Sequence, residues 1–275
     1  MIELTIDNYS LVEEPLKKVE INRLFARSVI EKKVKGKVFV DNIKNPKTFY
    51  VVHPYGMSLL FGDAGNERFN KQFYDYCFNK NQDRTAFEWM QSYPGSWDST
   101  LSDLFGSKLV NAAETGETQK DCIELNTRVN FKFSPEKYLD FKKNSITENH
   151  NIIRTNKDSF NDMRGTVVPS FFWDTADDFC TNGVGFSLYY QDKLATTAYS
   201  AFIFENELEL GMETFPEFRG RGFAQYACSA LIDFCLQNNY EPIWACKLAN
   251  MPSYKLAQKL GFVPSRTLPY YRLAL

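Results

Sequence analysis

Thr214-Phe215-Pro216-Glu217-Phe218-Arg219-Gly220-Arg221-Gly222-Phe223-Ala224 joins two different sequence periods. Before it, Leu208, Leu210, Met212 and Thr214 recur at every second position, the pattern of a strand. After it, Ala224, Ala227, Cys228, Leu231, Ile232 and Cys235 form one stripe at helical spacing, predicting a helix over Phe223 to Asn238. The two glycines let the backbone turn tightly, so that successive N–H groups converge on one point. A helix start leaves its first N–H groups without partners, and its dipole favours an anion. The junction therefore suits a phosphate-bearing ligand, with Arg219 and Arg221 adding positive charge. It is not a Walker A loop, and Gln225 stands where a dinucleotide fingerprint needs its third glycine.

Upstream, Gly183 to Tyr190 and Leu194 to Phe204 read as strands, joined to each other and to the third strand by Asp192-Lys193 and Glu205-Asn206 turns. Pro216 ends the third strand because proline has no N–H to donate. Downstream, Pro242 to Lys247 is a short strand and Ser253 to Leu260 a second helix, stopped by Gly261. Strand material at Phe262-Val263 and Tyr270 to Leu273 closes the chain.

The first half repeats this order more weakly. A helical stretch over Leu11 to Glu31 precedes strands at Lys37–Asp41, Thr48–His53 and Met57–Phe61. A glycine turn at Gly62–Gly65, a helix over Asn66 to Asn79, a strand at Ala86–Met90, a helix at Ser99–Gly106 and a strand at Asn126–Phe133 follow. Polar segments at Asn111–Lys120 and Lys142–His150 act as separators. The expected division is residues 1–145, a smaller α/β domain, and 146–275, the domain carrying the glycine junction.

Some thirty residues after that junction stands Asn250-Met251-Pro252-Ser253-Tyr254-Lys255-Leu256-Ala257-Gln258-Lys259-Leu260-Gly261-Phe262. Arg219 to Ala224 matches [QR]-x-x-G-x-[GA], and the later run matches N-x-x-[AS] followed by K-L-G-F. Together they resemble the GNAT superfamily of N-acetyltransferases. Glu213 to Gly222 and Asn250 to Phe262 look, more narrowly, like the branch that includes the zwittermicin A resistance acetyltransferase. The close resemblance covers residues 150–275. It implies a GNAT fold in the C-terminal half: a mixed, mostly antiparallel sheet flanked by helices and splayed to admit acetyl-CoA. The first half is then a smaller α/β domain, readable as a degenerate copy that shapes the acceptor pocket. Its own glycine turn carries Asp63, whose charge would repel pyrophosphate, so no coenzyme is expected there.

Residue by residue, the resemblance implies that Met212, Glu213 and Thr214 pair through their backbone with the pantetheine arm. The Met212 N–H would face the thioester carbonyl. Arg219, Gly220, Arg221, Gly222, Phe223 and Ala224 would wrap the pyrophosphate, and Asn250 would bond the pantetheine arm. Many GNAT enzymes carry a proton-donating tyrosine where this chain has Ala257. Ser253, at a position where another subset has a serine near the sulfur, is the candidate donor, with a helix N-cap as its other reading. Tyr254, Tyr270 and Tyr271 are reserve acids or packing aromatics. Glu213, with Glu209 behind it on the same strand face, is the candidate base or amine ligand, since a lysine-like amine is almost wholly protonated at pH 7. Two alternatives stay open: another acyl group or acceptor, or a CoA-binding module without turnover, which the missing tyrosine favours.

Composition narrows the rest. The chain has 275 residues, 44% hydrophobic, enough for a sizeable core. Its 32 Lys+Arg and 34 Asp+Glu leave a formal net charge of −2, without the basic excess of a nucleic-acid binder. The run Glu31 to Lys37 reads as a solvated helix end. No apolar stretch reaches membrane-spanning length, and no signal peptide opens the chain. The 6 Cys form no C-x-x-C pair and the 2 His, His53 and His150, have no telling spacing, so no metal is expected. Asp174, Asp177 and Asp178 read as a solvated loop or a lure for a cationic substrate. The expectation is a cytoplasmic monomer or homodimer that takes a small-molecule or peptide amine.

Overall fold

A computed structural model describes residues 1–113, 121–144, 150–273 and 275. The polar segments at 111–120 and 142–150, and the boundary expected between residues 145 and 146, lie partly or wholly outside them.

In chain order the strands and α-helices begin with β1 (Ile2–Glu3), α1 (Glu13–Lys17), α2 (Leu24–Ile30), β2 (Lys37–Val40), β3 (Thr48–Val52) and β4 (Met57–Gly62). Next come α3 (Glu67–Cys77), β5 (Glu88–Tyr93), α4 (Ser96–Phe105), β6 (Leu109–Asn111), β7 (Ile123–Phe133) and α5 (Pro135–Asn144). Then follow β8 (Asn151–Arg154), α6 (Lys157–Asp162), α7 (Ala176–Asn182), β9 (Gly185–Tyr190), β10 (Lys193–Phe204) and β11 (Glu207–Thr214). The chain closes with α8 (Phe223–Gln237), β12 (Glu241–Ile243), β13 (Ala245–Lys247), α9 (Met251–Lys259) and β14 (Phe262–Leu273). No helix among the described residues is long and apolar enough to cross a membrane.

The chain forms two compact units. Unit 1 comprises Met1–Val129, Lys247–Ala249 and Thr267–Leu275; unit 2 comprises Asn130–Cys246 and Asn250–Arg266. Each unit is thus completed by segments from distant parts of the sequence, where a single cut at 145/146 would leave two continuous pieces.

In unit 1, β1 to β4 are joined in order and antiparallel, and β5 lies parallel to β4. The last residues of β14 then pair antiparallel with β5, Tyr271 opposite Met90 and Leu273 opposite Glu88. Tyr271 and Leu273 are buried with Met90, Trp97, Leu101 and Phe105 in the core under α3 and α4. The long N-terminal helix expected over Leu11 to Glu31 is broken into α1 and α2. Val19 and Ile21 lie between them, both buried, and alternate burial over a non-helical stretch outweighs helix propensity there.

In unit 2, β9, β10 and β11 are antiparallel, as the alternating pattern predicted; β8, which the sequence reading did not anticipate, pairs antiparallel with β9, and β12 adds to β11 in parallel. Helix α8 packs on β9, β10 and β11 through Ala227, Cys228, Leu231, Ile232 and Cys235, all buried. Burial pushes the Cys228 and Cys235 thiols up to about 12, so both behave as small apolar groups. Helix α5 is pinned to α8: the Tyr138 hydroxyl lies 2.9 Å from the Ser229 carbonyl and from Asp233 Oδ1, and Lys142 pairs with Asp233.

The strand expected over Pro242 to Lys247 is two strands, parted at Trp244. β12 pairs with β11 only from Glu207 opposite Glu241 to Glu209 opposite Ile243, and β13 belongs to another sheet. Trp244 is buried at the break, against Phe262. Its burial turns one strand into two and leaves β11 without β12 beyond Glu209.

Candidate active site

The candidate site lies within unit 2, on the part of β11 that β12 has left. Successive backbone groups of a strand point to opposite edges. The Phe215 N–H donates to Ala195 O on β10, and the Asn206 carbonyl accepts from Glu241 N on the β12 side. Counting along the continuous strand from either end gives one result: the N–H and C=O of Met212 face away from β10, into the parting. Its side chain lies beside α8, where the Cys228 thiol donates to Met212 Sδ at 3.8 Å.

Past the end of β11 the chain makes a single 3-10 turn at Pro216–Phe218 and enters the glycine junction. Gly220 and Gly222 both have φ of +79°, the left-handed region that only glycine occupies without strain. A Cβ at Gly220 would meet nothing within 4 Å among the described residues, so conformation rather than space calls for glycine there. Gly222 is the N-cap of α8 and contributes no side-chain cap. Arg219 N is bonded to Pro216 O, and Gln225 N to Gly222 O. Among the described residues, the N–H groups of Gly220, Arg221, Gly222, Phe223 and Ala224 meet no acceptor. Such a run of donors at a helix start is an anion cradle.

The side chains around it are fixed by aromatic packing. Phe218 and Phe223 are buried with Leu188 and Ala195, and Tyr190, Phe215 and Tyr226 pack against them. The Arg221 guanidinium lies 5.4 Å from the Tyr190 ring and 5.7 Å from Phe218, a cation held over two ring faces. His150 sits edge-on to Tyr226 at 4.4 Å.

Glu213 differs most from its expectation. It is buried, and its carboxylate is engaged on both oxygens. Oε2 accepts the N–H of Thr166 at 2.8 Å and of Val167 at 3.1 Å, while Oε1 accepts Arg219 Nη2 at 3.0 Å. Arg219 also donates through Nε to the Thr214 carbonyl, so its guanidinium is folded back on the end of β11. Gly165, with φ of +151°, brings the loop close: a Cβ there would fall 2.5 Å from the Glu213 carboxyl carbon. Thr214 is buried and bonded through its hydroxyl to Thr196. Glu209 is buried further back on β11.

At the start of α9, Asn250 is the N-cap: its Oδ1 accepts Ser253 N at 3.3 Å. The cap reading of Ser253 is therefore corrected. The Ser253 hydroxyl oxygen instead accepts the Trp244 indole N–H at 3.2 Å, which leaves its own proton to be donated elsewhere. Trp244 carried no motif and fell inside the single strand expected over Pro242 to Lys247, so nothing in the sequence reading marked it. Ala257 is fully buried. Tyr254 lies against Phe131, while Tyr270 stacks on Trp89 and Tyr271 is buried in unit 1, which gives all three packing roles. Asp177 and Asp178 form the first turn of α7, Asp177 paired with Lys157. No group of three or more His, Cys, Asp or Glu positioned to hold a metal ion occurs among the described residues. His53 is buried in unit 1 with Nδ1 accepting Tyr55 N, and burial lowers it to about 3.

These features agree with what comparison finds. The family model described as GNAT acetyltransferase matches residues 14–271. A Bacillus subtilis (strain 168) protein, the uncharacterized N-acetyltransferase YdfB, is 26% identical over 241 residues, covering 86% of this chain and 85% of its own. Among solved structures, a GCN5-related N-acetyltransferase-like protein from Streptococcus suis 89/1591 superposes with a TM-score of 0.69 at 16% identity, over 98% of this chain and 99% of that one. A tandem GNAT protein from the clavulanic acid biosynthesis pathway gives 0.59 at 11%, over 98% and 97%. With the parted strands and the glycine junction in the expected setting and the family model spanning nearly the whole chain, this protein belongs to the GNAT acetyltransferases.

Proposed function

We propose that unit 2 transfers an acetyl group from acetyl-CoA directly to a primary amine of a small molecule or peptide. The observation that carries this reading is the edge of β11: the Met212 N–H faces the parting, and the run of acceptor-less N–H groups begins a few residues further on. The fit to the coenzyme rests on those donors and on the open space at Gly220, where a diphosphate can approach the backbone. When bound, the coenzyme supplies an activated acyl carbonyl and a thiolate leaving group.

The chain's own part follows from its geometry. Met212 and Thr214 offer backbone groups to the pantetheine arm as a further strand would, and Asn250, its Oδ1 used in the cap, offers its amide N–H. Gly220, Arg221, Gly222, Phe223 and Ala224 hold the diphosphate. The Met212 N–H donates to the carbonyl oxygen as negative charge grows there; one such donor is worth about 3–4 kcal/mol. Ser253, polarised by the Trp244 N–H, donates to the departing sulfur. Glu213 is a positioning residue in this reading: it ties the 165–167 loop and Arg219 to the end of β11. Because its carboxylate is engaged, the amine must arrive neutral, and turnover of a lysine-like acceptor rises with pH toward the amine's own pKa.

Calorimetry with CoA, followed by thiol release from acetyl-CoA and a longer acyl-CoA over a panel of amines, tests this. The finer resemblance, to the zwittermicin A resistance branch, puts amine-bearing antibiotics first on that panel, before polyamines, amino sugars and peptide N-termini. Saturable CoA binding with thiol release on at least one amine is expected, and Ser253→Ala lowers kcat about a hundredfold with KM for acetyl-CoA unchanged. No heat with CoA overturns the coenzyme reading. Binding with no thiol release on any amine makes unit 2 a coenzyme-binding module.

A further inference from the structure

One face of the unit 1 sheet changes character along its width. On β5, side chains at 88, 90 and 92 face the core with Tyr271 and Leu273, so those at 89 and 91 face the other way. On β4, next to them in register, that opposite face carries Met57, Leu59 and Phe61, all buried and apolar. At β5 and on β7 it turns polar while remaining buried: Gln91 is 0% exposed, Arg128 7% and Glu124 9%.

Buried polar groups are normally partnered, and leaving one bare costs about 1–3 kcal/mol. Here both amide atoms of Gln91 and the Nε of Arg128 have no hydrogen-bond partner among the described residues. The same face gathers more positive than negative charge. Arg272 pairs with Glu124 at 2.7 Å and lies 3.9 Å from the Phe87 ring. That pairing takes Oε1 of Glu124, while Lys247 sits 4.9 Å from the Trp89 ring and Arg128 5.1 Å from the Tyr270 ring. Burial holds the Lys247 ammonium below the ordinary lysine range; Glu124 pulls it back up and Arg272 pushes it down again. Trp89 and Tyr270 themselves stack at 5.0 Å. Cations held over rings beside an orphaned amide, with their nearest carboxylate already paired, lack one thing, which is an anion.

We propose that this face of unit 1 binds a small organic carboxylate with a planar apolar body. Arg128 and Lys247 take the carboxylate, the Gln91 amide completes its hydrogen bonding, and the flat body lies against the edge of the Trp89–Tyr270 pair, whose faces are taken up by each other and by the two cations. An arginine fork suits a planar two-oxygen anion better than a point charge does. The site stands on unit 1 residues alone and requires no acyl transfer.

The test uses the full-length protein, with calorimetry and thermal unfolding at fixed ionic strength. The probes are benzoate, its neutral counterpart benzamide, and inorganic phosphate. Benzoate is expected to bind saturably and raise the unfolding midpoint, and benzamide to do neither. Arg128→Met weakens benzoate about tenfold or more. Gln91→Leu, close in volume and without the orphaned amide, weakens benzoate without lowering the midpoint of the free protein, which separates loss of binding from loss of fold. The proposal is overturned if benzoate does not saturate, if benzamide matches it, if phosphate alone binds, or if both variants bind benzoate as the parent does.

Discussion

At the scale of single residues, Glu213 shows how a side chain's neighbours decide what it can do. Its carboxylate accepts two backbone N–H groups from a loop 46 and 47 residues upstream and pairs with Arg219. Glu213→Ala strands the Thr166 and Val167 donors, so we expect a loss of about 2 kcal/mol in urea unfolding. Glu213→Gln keeps an oxygen for those donors and should recover more than half of that loss. A base has a different signature: Gln and Ala would then cut kcat equally, with unfolding unchanged and the acid limb of the pH–rate profile gone. The sequence told where the glycines, the arginines and Glu213 stand, because spacing and backbone conformation are local properties. It could not tell that Arg219 turns back on Glu213 or that Trp244 supports Ser253, since both depend on contacts between separate segments.

At the scale of elements, the three strands and one α-helix of unit 2 from Gly183 to Gln237 were legible because their faces differ sharply in polarity. Elements whose ends are fixed by distant packing were not. The strand over 242–247 divides at buried Trp244, and β14 runs on through Pro264 and Pro269, its pairing with β5 beginning only at Tyr271, beyond both prolines. The joint of β3, β5 and α3 is a case the strand pattern hides entirely. Glu88 is buried there, accepting the hydroxyls of Tyr50 and Tyr76. Burial raises its carboxyl above the ordinary 4.5, and the tyrosine hydrogen bonds only partly offset this. A carboxyl raised by folding makes the folded state hold the proton longer than the unfolded chain does. Its contribution is therefore fully present below the unfolded value and is lost as pH rises through the folded one. His53 works in the other direction, neutral in the fold and destabilising as pH falls from 6.5 toward about 3. Comparing Glu88→Gln with the parent cancels His53 and isolates Glu88. We expect the variant to melt higher at neutral pH, and the gap to close as pH is lowered toward 4.5. A gap that stays constant across that range would show that Glu88 is not the titrating group.

At the scale of the whole chain, the sequence suggested two halves, and composition shifts can suggest no more, because pairing between distant strands leaves no local mark. Unit 1 is completed by Thr267–Leu275, more than a hundred residues after Val129 in the chain. That segment supplies Tyr271 and Leu273 to the core of unit 1 and Arg272 to Glu124. Burying side chains of this size contributes about 1.5–3 kcal/mol each, against a total stability of about 5–15 kcal/mol for a typical domain. A fragment of residues 1–145 therefore loses a large part of its margin and also exposes the β5 edge, with the unpaired backbone groups of Glu88 to Met90. We expect this fragment to unfold without a cooperative transition, or to aggregate. A synthetic peptide of residues 262–275 added in trans should restore a cooperative transition whose midpoint rises with peptide concentration, since anything that binds only the folded form shifts the balance by mass action. The same peptide with Tyr271→Ala and Leu273→Ala should fail to do so. If the fragment alone melts cooperatively and is indifferent to the peptide, the strand from the chain's end is dispensable, and unit 1 is held by Met1–Val129 without it.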